Sequence, residues 1–117
     1  DTDVPGGSGV GLVDMIEIVA MMIGVFVKCY STRAYDSPQP VVAGLFLERG
    51  CPKSLYRPGS SVDVVIFQKN RVTFSADILD NMARQDVTSI YIKHFQLPLV
   101  ETDVTVRSEI ALRREPS

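Results

Sequence analysis

The chain is poor in the residues that most chemistry needs: it has a single histidine, His94, and two cysteines, Cys29 and Cys51, in 117 residues. One histidine excludes a two-histidine metal site and any mechanism that needs a pair of imidazoles. Two cysteines allow at most one internal disulfide, too few for a disulfide-framework miniprotein, and their separation excludes a CxxC redox or zinc site. Spacing alone leaves open whether they are bonded or are two buried reduced thiols. No calcium-loop spacing occurs among the carboxylates, so Asp77 and Asp80 fit a solvated helix face better than a cation site or a glycosidase pair. No Asn-x-Ser/Thr sequon is present. Basic charge is also scarce: the net charge is -2 with a pI near 5.3, which argues against a nucleic-acid groove. Arg113 and Arg114, near the end, are the one adjacent arginine pair.

Long uncharged apolar runs are missing as well. Leu12 to Val27 is apolar, but Asp14 and Glu17 interrupt it, and the ten uncharged residues from Ile18 to Val27 are too few to span a bilayer as a helix. No membrane span is therefore expected within this segment. The preceding residues are acidic and glycine-rich rather than basic, unlike a signal peptide. Gly6-Gly7-Ser8-Gly9-Val10-Gly11 resembles a phosphate loop superficially, but it precedes a strand and lacks the Lys-Ser/Thr ending that meets phosphate and magnesium. Residues 1–11 read as a flexible lead-in, 12–112 as one β-rich domain and 113–117 as a tail.

What remains is ordinary for a globular domain, with 45% hydrophobic and 22% charged residues. Val13 to Tyr30 is rich in β-branched residues and alternates strictly from Ile23 to Val27; strand is favoured, and a helix also fits Asp14, Glu17 and Met21. Arg33 to Pro40 is a loop, Val41 to Glu48 a short strand, and Arg49-Gly50-Cys51-Pro52 a turn. After the loop Arg57 to Ser61, Val62, Val64 and Ile66 alternate with Asp63, Val65 and Phe67. With the turn Gln68-Lys69-Asn70-Arg71 and the strand from Val72, Ser61 to Ser75 reads as a hairpin. Ser75 to Gln85 suits a helix with Ser75 as N-cap, or a strand Phe74 to Leu79 followed by a loop. Thr88 to Leu97 and the stretch through Val104, Val106 and Ile110 supply two more strands. The expected fold is mainly β: a sandwich of six or seven strands with room for one short helix over 75–85, because turn signals recur about every ten residues.

Cys29-Tyr30-Ser31-Thr32, a loop, and then Leu45-Phe46-Leu47-Glu48-Arg49-Gly50-Cys51-Pro52 resemble the C-terminal half of the zona pellucida module. Arg71-Val72-Thr73-Phe74-Ser75 and Ser89-Ile90-Tyr91-Ile92-Lys93-His94 look like two further strands of that family, in the same order over residues 25 to 97. The family's later cysteines would fall near His94 and Leu99, where this chain has none. The resemblance implies an immunoglobulin-like sandwich on a secreted or membrane-anchored protein that assembles or binds a protein partner through strand edges. It also implies a simplified Cys29–Cys51 disulfide, which would close a loop of about twenty residues and add roughly 3 kcal/mol. Arg113 and Arg114 would then be remnants of a processing site, against the alternative of a solvated basic tail.

Three functions follow. The first is an extracellular protein-binding or filament-assembly module without cofactor. The second is an intracellular α+β regulatory or subunit-interface domain, in which Ser75 to Gln85 is a helix. The third is a small thiol enzyme pairing Cys29 or Cys51 with His94, for which the sequence offers no thiolate-stabilising surroundings.

Overall fold

A computed structural model describes residues 1–19, 26–56 and 61–115 of the chain. The strict alternation from Ile23 to Val27 and the turn Arg57 to Ser61 fall largely outside these residues. Six strands are present among those described: β1 (Val13–Val19), β2 (Phe26–Lys28), β3 (Ser54–Tyr56), β4 (Ser61–Phe67), β5 (Val72–Phe74) and β6 (Ala111–Arg113). One helix, α1 (Ala76–Met82), and one 3-10 turn over Lys93–Phe95 complete the elements. The strands pair as three two-stranded sheets, β1 with β4, β2 with β3 and β5 with β6. The mainly β class is therefore present, in the form of ribbons rather than broad layers.

The chain divides into two compact units, one of residues 1–14 with 66–117 and one of residues 15–65. In the second unit, β2 and β3 run antiparallel with Val27 opposite Leu55. Beyond the strand ends, the Cys29 amide donates to the Lys53 carbonyl at 3.2 Å and the Ser31 amide to the Pro52 carbonyl at 3.0 Å. The first bond continues the ladder and the second is one residue out of step, so a bulge lies beside Pro52, which has no amide to donate. This corner holds the two most enclosed residues described, Tyr30 and Ser31, each 2% exposed, with Cys29 at 8% beside them. The Tyr30 hydroxyl accepts from the Glu48 amide at 3.1 Å, and the Gln39 amide closes on the Tyr30 carbonyl at 2.8 Å. Lys53 and Ser54 both bond Glu17 of β1, an ion pair with one partner largely shielded from water.

In the first unit, β5 and β6 are antiparallel with Thr73 opposite Leu112. Phe67 meets Phe74 edge to face, ring centres 5.9 Å apart. The glycine-rich start is a hydrogen-bonded loop. Thr2 donates to the Gly11 carbonyl through both its amide (2.9 Å) and its hydroxyl (2.8 Å), and the Gly9 amide donates to the Thr2 carbonyl at 3.0 Å. Arg71 clamps it, donating to Asp3 at 2.5 Å and to the Gly9 carbonyl at 3.0 Å. Gly9 and Gly11 have φ of +70° and +78°, where side-chain-bearing residues are strained, and a Cβ on Gly11 would sit 2.3 Å from the Gln68 amide oxygen.

Several expected elements differ. Val41 to Glu48 is irregular with a turn at Gly44, and Thr88 to Leu97 is a turn leading into the 3-10 segment. Gln96 caps that 3-10 segment in a left-handed conformation, φ +55°. The stretch through Val104, Val106 and Ile110 is irregular, with a turn at Val106 and Arg107, and the strand there, Ala111–Arg113, lies just beyond it. Ser61 to Ser75 contains both expected strands, but they pair outward, β4 with β1 and β5 with β6, instead of with each other. Alternation specifies that a residue run is extended; it does not name the neighbour.

Candidate protein-binding surface

β1 and β4 are the two longest strands, and each has seven residues. The Gln68 amide donates to the Leu12 carbonyl at 2.9 Å, and the Leu12 amide donates to the Gln68 side chain at 2.9 Å. These bonds join the start of β1 to the end of β4, so the strands run antiparallel. Ile16 and Ile18 of β1 and Val62 and Val64 of β4 are exposed, as are Met15, Val65 and Ile66. Alternate residues point to opposite faces, so Val64 and Val65 show that apolar side chains are open to water on both sides of β4. Such a pattern belongs to a strand meant to be covered.

The side chains nearby are mostly committed. Tyr56 donates to Asp63 of β4 at 2.5 Å. Loss of hydration raises the Tyr56 phenol from its ordinary 10.0 to about 12, reinforced by the hydrogen bond and the charge of Asp63. Glu17 is taken by Lys53 and Ser54. Thus, among the described residues, the ribbon offers backbone edges and apolar side chains, with Glu17 paired to Lys53 and Asp63 hydrogen-bonded by Tyr56.

The residues singled out from sequence do not converge. Cys29 and Cys51 are both free thiols, Cys29 buried and Cys51 half-buried. Cys29 bonds across to Lys53, not Cys51, and the Cys51 sulfur lies 3.9 Å from Glu48. The implied disulfide is absent: the β2–β3 register continues to Cys29 opposite Lys53, which leaves Cys51 two residues further along the partner segment. His94 sits in the 3-10 turn, on no strand, and in the other compact unit from both cysteines. Arg113 is the last residue of β6, opposite Val72, and just past the strand the Arg114 amide donates to the Arg71 carbonyl at 2.9 Å, so the backbone of both arginines is tied to the segment Arg71–Val72. Asp77 lies in the first turn of α1. Among the described residues no three His, Cys, Asp or Glu side chains gather as a metal-holding group.

A cavity of about 280 Å³ lies in the first unit, lined by residues including Arg84, Val87, Ser89, Gln96 and Leu99. Its one cation is occupied: Arg84 grips Asp86 with bonds of 2.9 and 2.5 Å. That pairing holds the Asp86 carboxyl down at about 2. Sequence reading missed Arg71 and Tyr30, the residues that organise the glycine-rich loop and the buried corner. A lone arginine after a turn and a tyrosine beside a cysteine carry no signal until their distant partners are in place. Compared with protein families, curated proteins and solved structures, the chain matches none.

Proposed function

We propose that this chain is a non-catalytic protein-binding or self-assembling module that works through the open edges of the β1–β4 ribbon. One observation carries the reading: two seven-residue strands paired with each other, with Ile16, Ile18, Val62, Val64 and Ile66 exposed on them. A partner strand laid along either edge gains backbone hydrogen bonds, and covering the apolar side chains adds about 25 cal/mol per Å² removed from water. The immunoglobulin-like sandwich of six or seven strands that the zona pellucida resemblance implies is reached by such strand addition, with an extracellular or cell-surface filament as its setting. Sedimentation velocity tests the assembly. The chain associates as its concentration rises, and Val64→Lys, which puts a charge at the centre of the face, shifts it to monomer. Association of equal strength in Val64→Lys overturns the reading.

A second reading, an intracellular α+β subunit domain, is favoured by the free Cys29 and Cys51 and by α1. Mass measured before and after reduction separates the two. A gain of two hydrogens supports the extracellular setting, and full alkylation of both thiols without reductant supports the intracellular one.

A further inference from the structure

We propose that the cavity in the first unit is a peptide site, which takes a short, neutral, extended segment between two stretches of chain. Arg84 to Ser89 and Gln96 to Val100 supply its walls, and among the described residues no backbone hydrogen bond joins one wall to the other. Each wall is pinned at both ends. The Arg84 amide donates to the Asn81 carbonyl and the Val100 amide to the Met82 carbonyl, both at 3.1 Å, so one end of each is tied to the last turn of α1. At the other end the Ser89 hydroxyl accepts from the Tyr91 and Ile92 amides at 3.1 and 3.0 Å. The Phe95 amide donates to the Ile92 carbonyl at 2.9 Å, and Gln96 then turns left-handed. The walls are therefore set before a ligand arrives, which spares part of the ordering cost of binding.

Between those pins the backbone is uncommitted. The amides of Val87, Thr88, Leu97 and Leu99 donate to nothing among the described residues, and Pro98 has no amide to donate. Uncommitted backbone donors and acceptors on two sides of a cavity suit an extended peptide, which satisfies them with hydrogen bonds of the kind that join strands. The lining weighs against other ligand classes. Arg84 is its one cation and is held by Asp86, so no open positive charge meets a phosphate, and no carboxylate lines the cavity to hold a metal ion. Val87, Leu97 and Leu99 are exposed apolar side chains, while Thr88 and Gln96 add neutral polar groups. The volume of about 280 Å³ lies just below the ~300–1,000 Å³ usual for small-ligand sites, so the segment is short and its side chains are apolar. None of these residues belongs to the β1–β4 ribbon, and the site does not rest on that reading.

Amide chemical shifts of the isotopically labelled chain test this, in titrations with an end-blocked tripeptide of valine and with the same tripeptide methylated at its amide nitrogens. The unmethylated peptide produces saturable shifts at Val87, Thr88, Leu97 and Leu99. Methylation removes the peptide's donors and keeps its side chains, and it weakens binding about tenfold. Leu97→Lys, which places a charge in the cavity, weakens binding of the unmethylated peptide while circular dichroism is unchanged. Val64→Lys, which tests the β1–β4 proposal, leaves the shifts in place, so the two ideas fail separately. Absence of saturable shifts, equal binding of the methylated peptide, or undiminished binding by Leu97→Lys overturns the site. Shifts confined to β1 and β4 overturn it too, because the peptide would then lie on the ribbon.

Discussion

Tyr30 shows how much one side chain can organise. Its ring is buried and its hydroxyl accepts from the Glu48 amide, tying the β2–β3 corner to the irregular stretch that follows. Tyr30→Phe keeps the ring and removes the acceptor, so chemical denaturation should show a loss of about 1 kcal/mol. Cys29 shares this enclosure while Cys51 does not, and thiol labelling of the native chain should modify Cys51 first, with Cys29 reacting only on unfolding. At Tyr56 the fold favours the protonated phenol, which ionises at about 12 rather than 10.0. Because the folded value is raised, this contribution is complete below the unfolded value and is lost as pH rises through about 12. Asp63→Asn removes both the charge and the charged acceptor, and phenolate absorbance should then place Tyr56 nearer the ordinary tyrosine range.

At the scale of elements, the helix is where expectation and structure meet most closely. Ser75 occupies the N-cap position before Ala76–Met82, but its hydroxyl makes no capping bond and donates to Glu109 at 3.1 Å. Ser75→Ala should therefore cost less than the roughly 1 kcal/mol of a lost cap; thermal unfolding measures the difference. Helix and cap position were legible because Ser, an early Asp and apolar spacing are local signals. The role of the Ser75 hydroxyl was not, because Glu109 is remote in sequence. Thr88 to Leu97 shows the opposite: Ile90, Tyr91 and Ile92 have the composition of a strand, yet the Ser89 hydroxyl gathers two amides and Gln96 turns the backbone left-handed. A serine side chain offering the backbone an alternative partner has overridden β propensity.

For the molecule as a whole, apolar content and burial are out of balance. Hydrophobic residues make up 45% of the chain, while the buried hydrophobic residues described are Cys29 and Tyr30. Surface of this kind is available to partners, and an apolar-surface dye should bind the isolated chain and be displaced as it assembles. Val64→Lys should lower dye binding and assembly together, since both draw on the same face.

The sequence by itself determined that the chain is mainly β and that no paired imidazoles or zinc-spaced thiols are available, and it narrowed Ser75 to Gln85 to a helix or a strand followed by a loop. These are local or compositional properties, set by periodicity and by which residue types exist at all. Tertiary structure decided what stands beside what: β4 with β1 instead of β5, Cys29 with Lys53 instead of Cys51, Arg71 on the glycine-rich loop, and Arg113 inside a strand. The physical reason is that strand partners and long-range hydrogen bonds are chosen by a competition among distant segments, in which a register that sets Cys29 against Lys53 is enough to separate two cysteines.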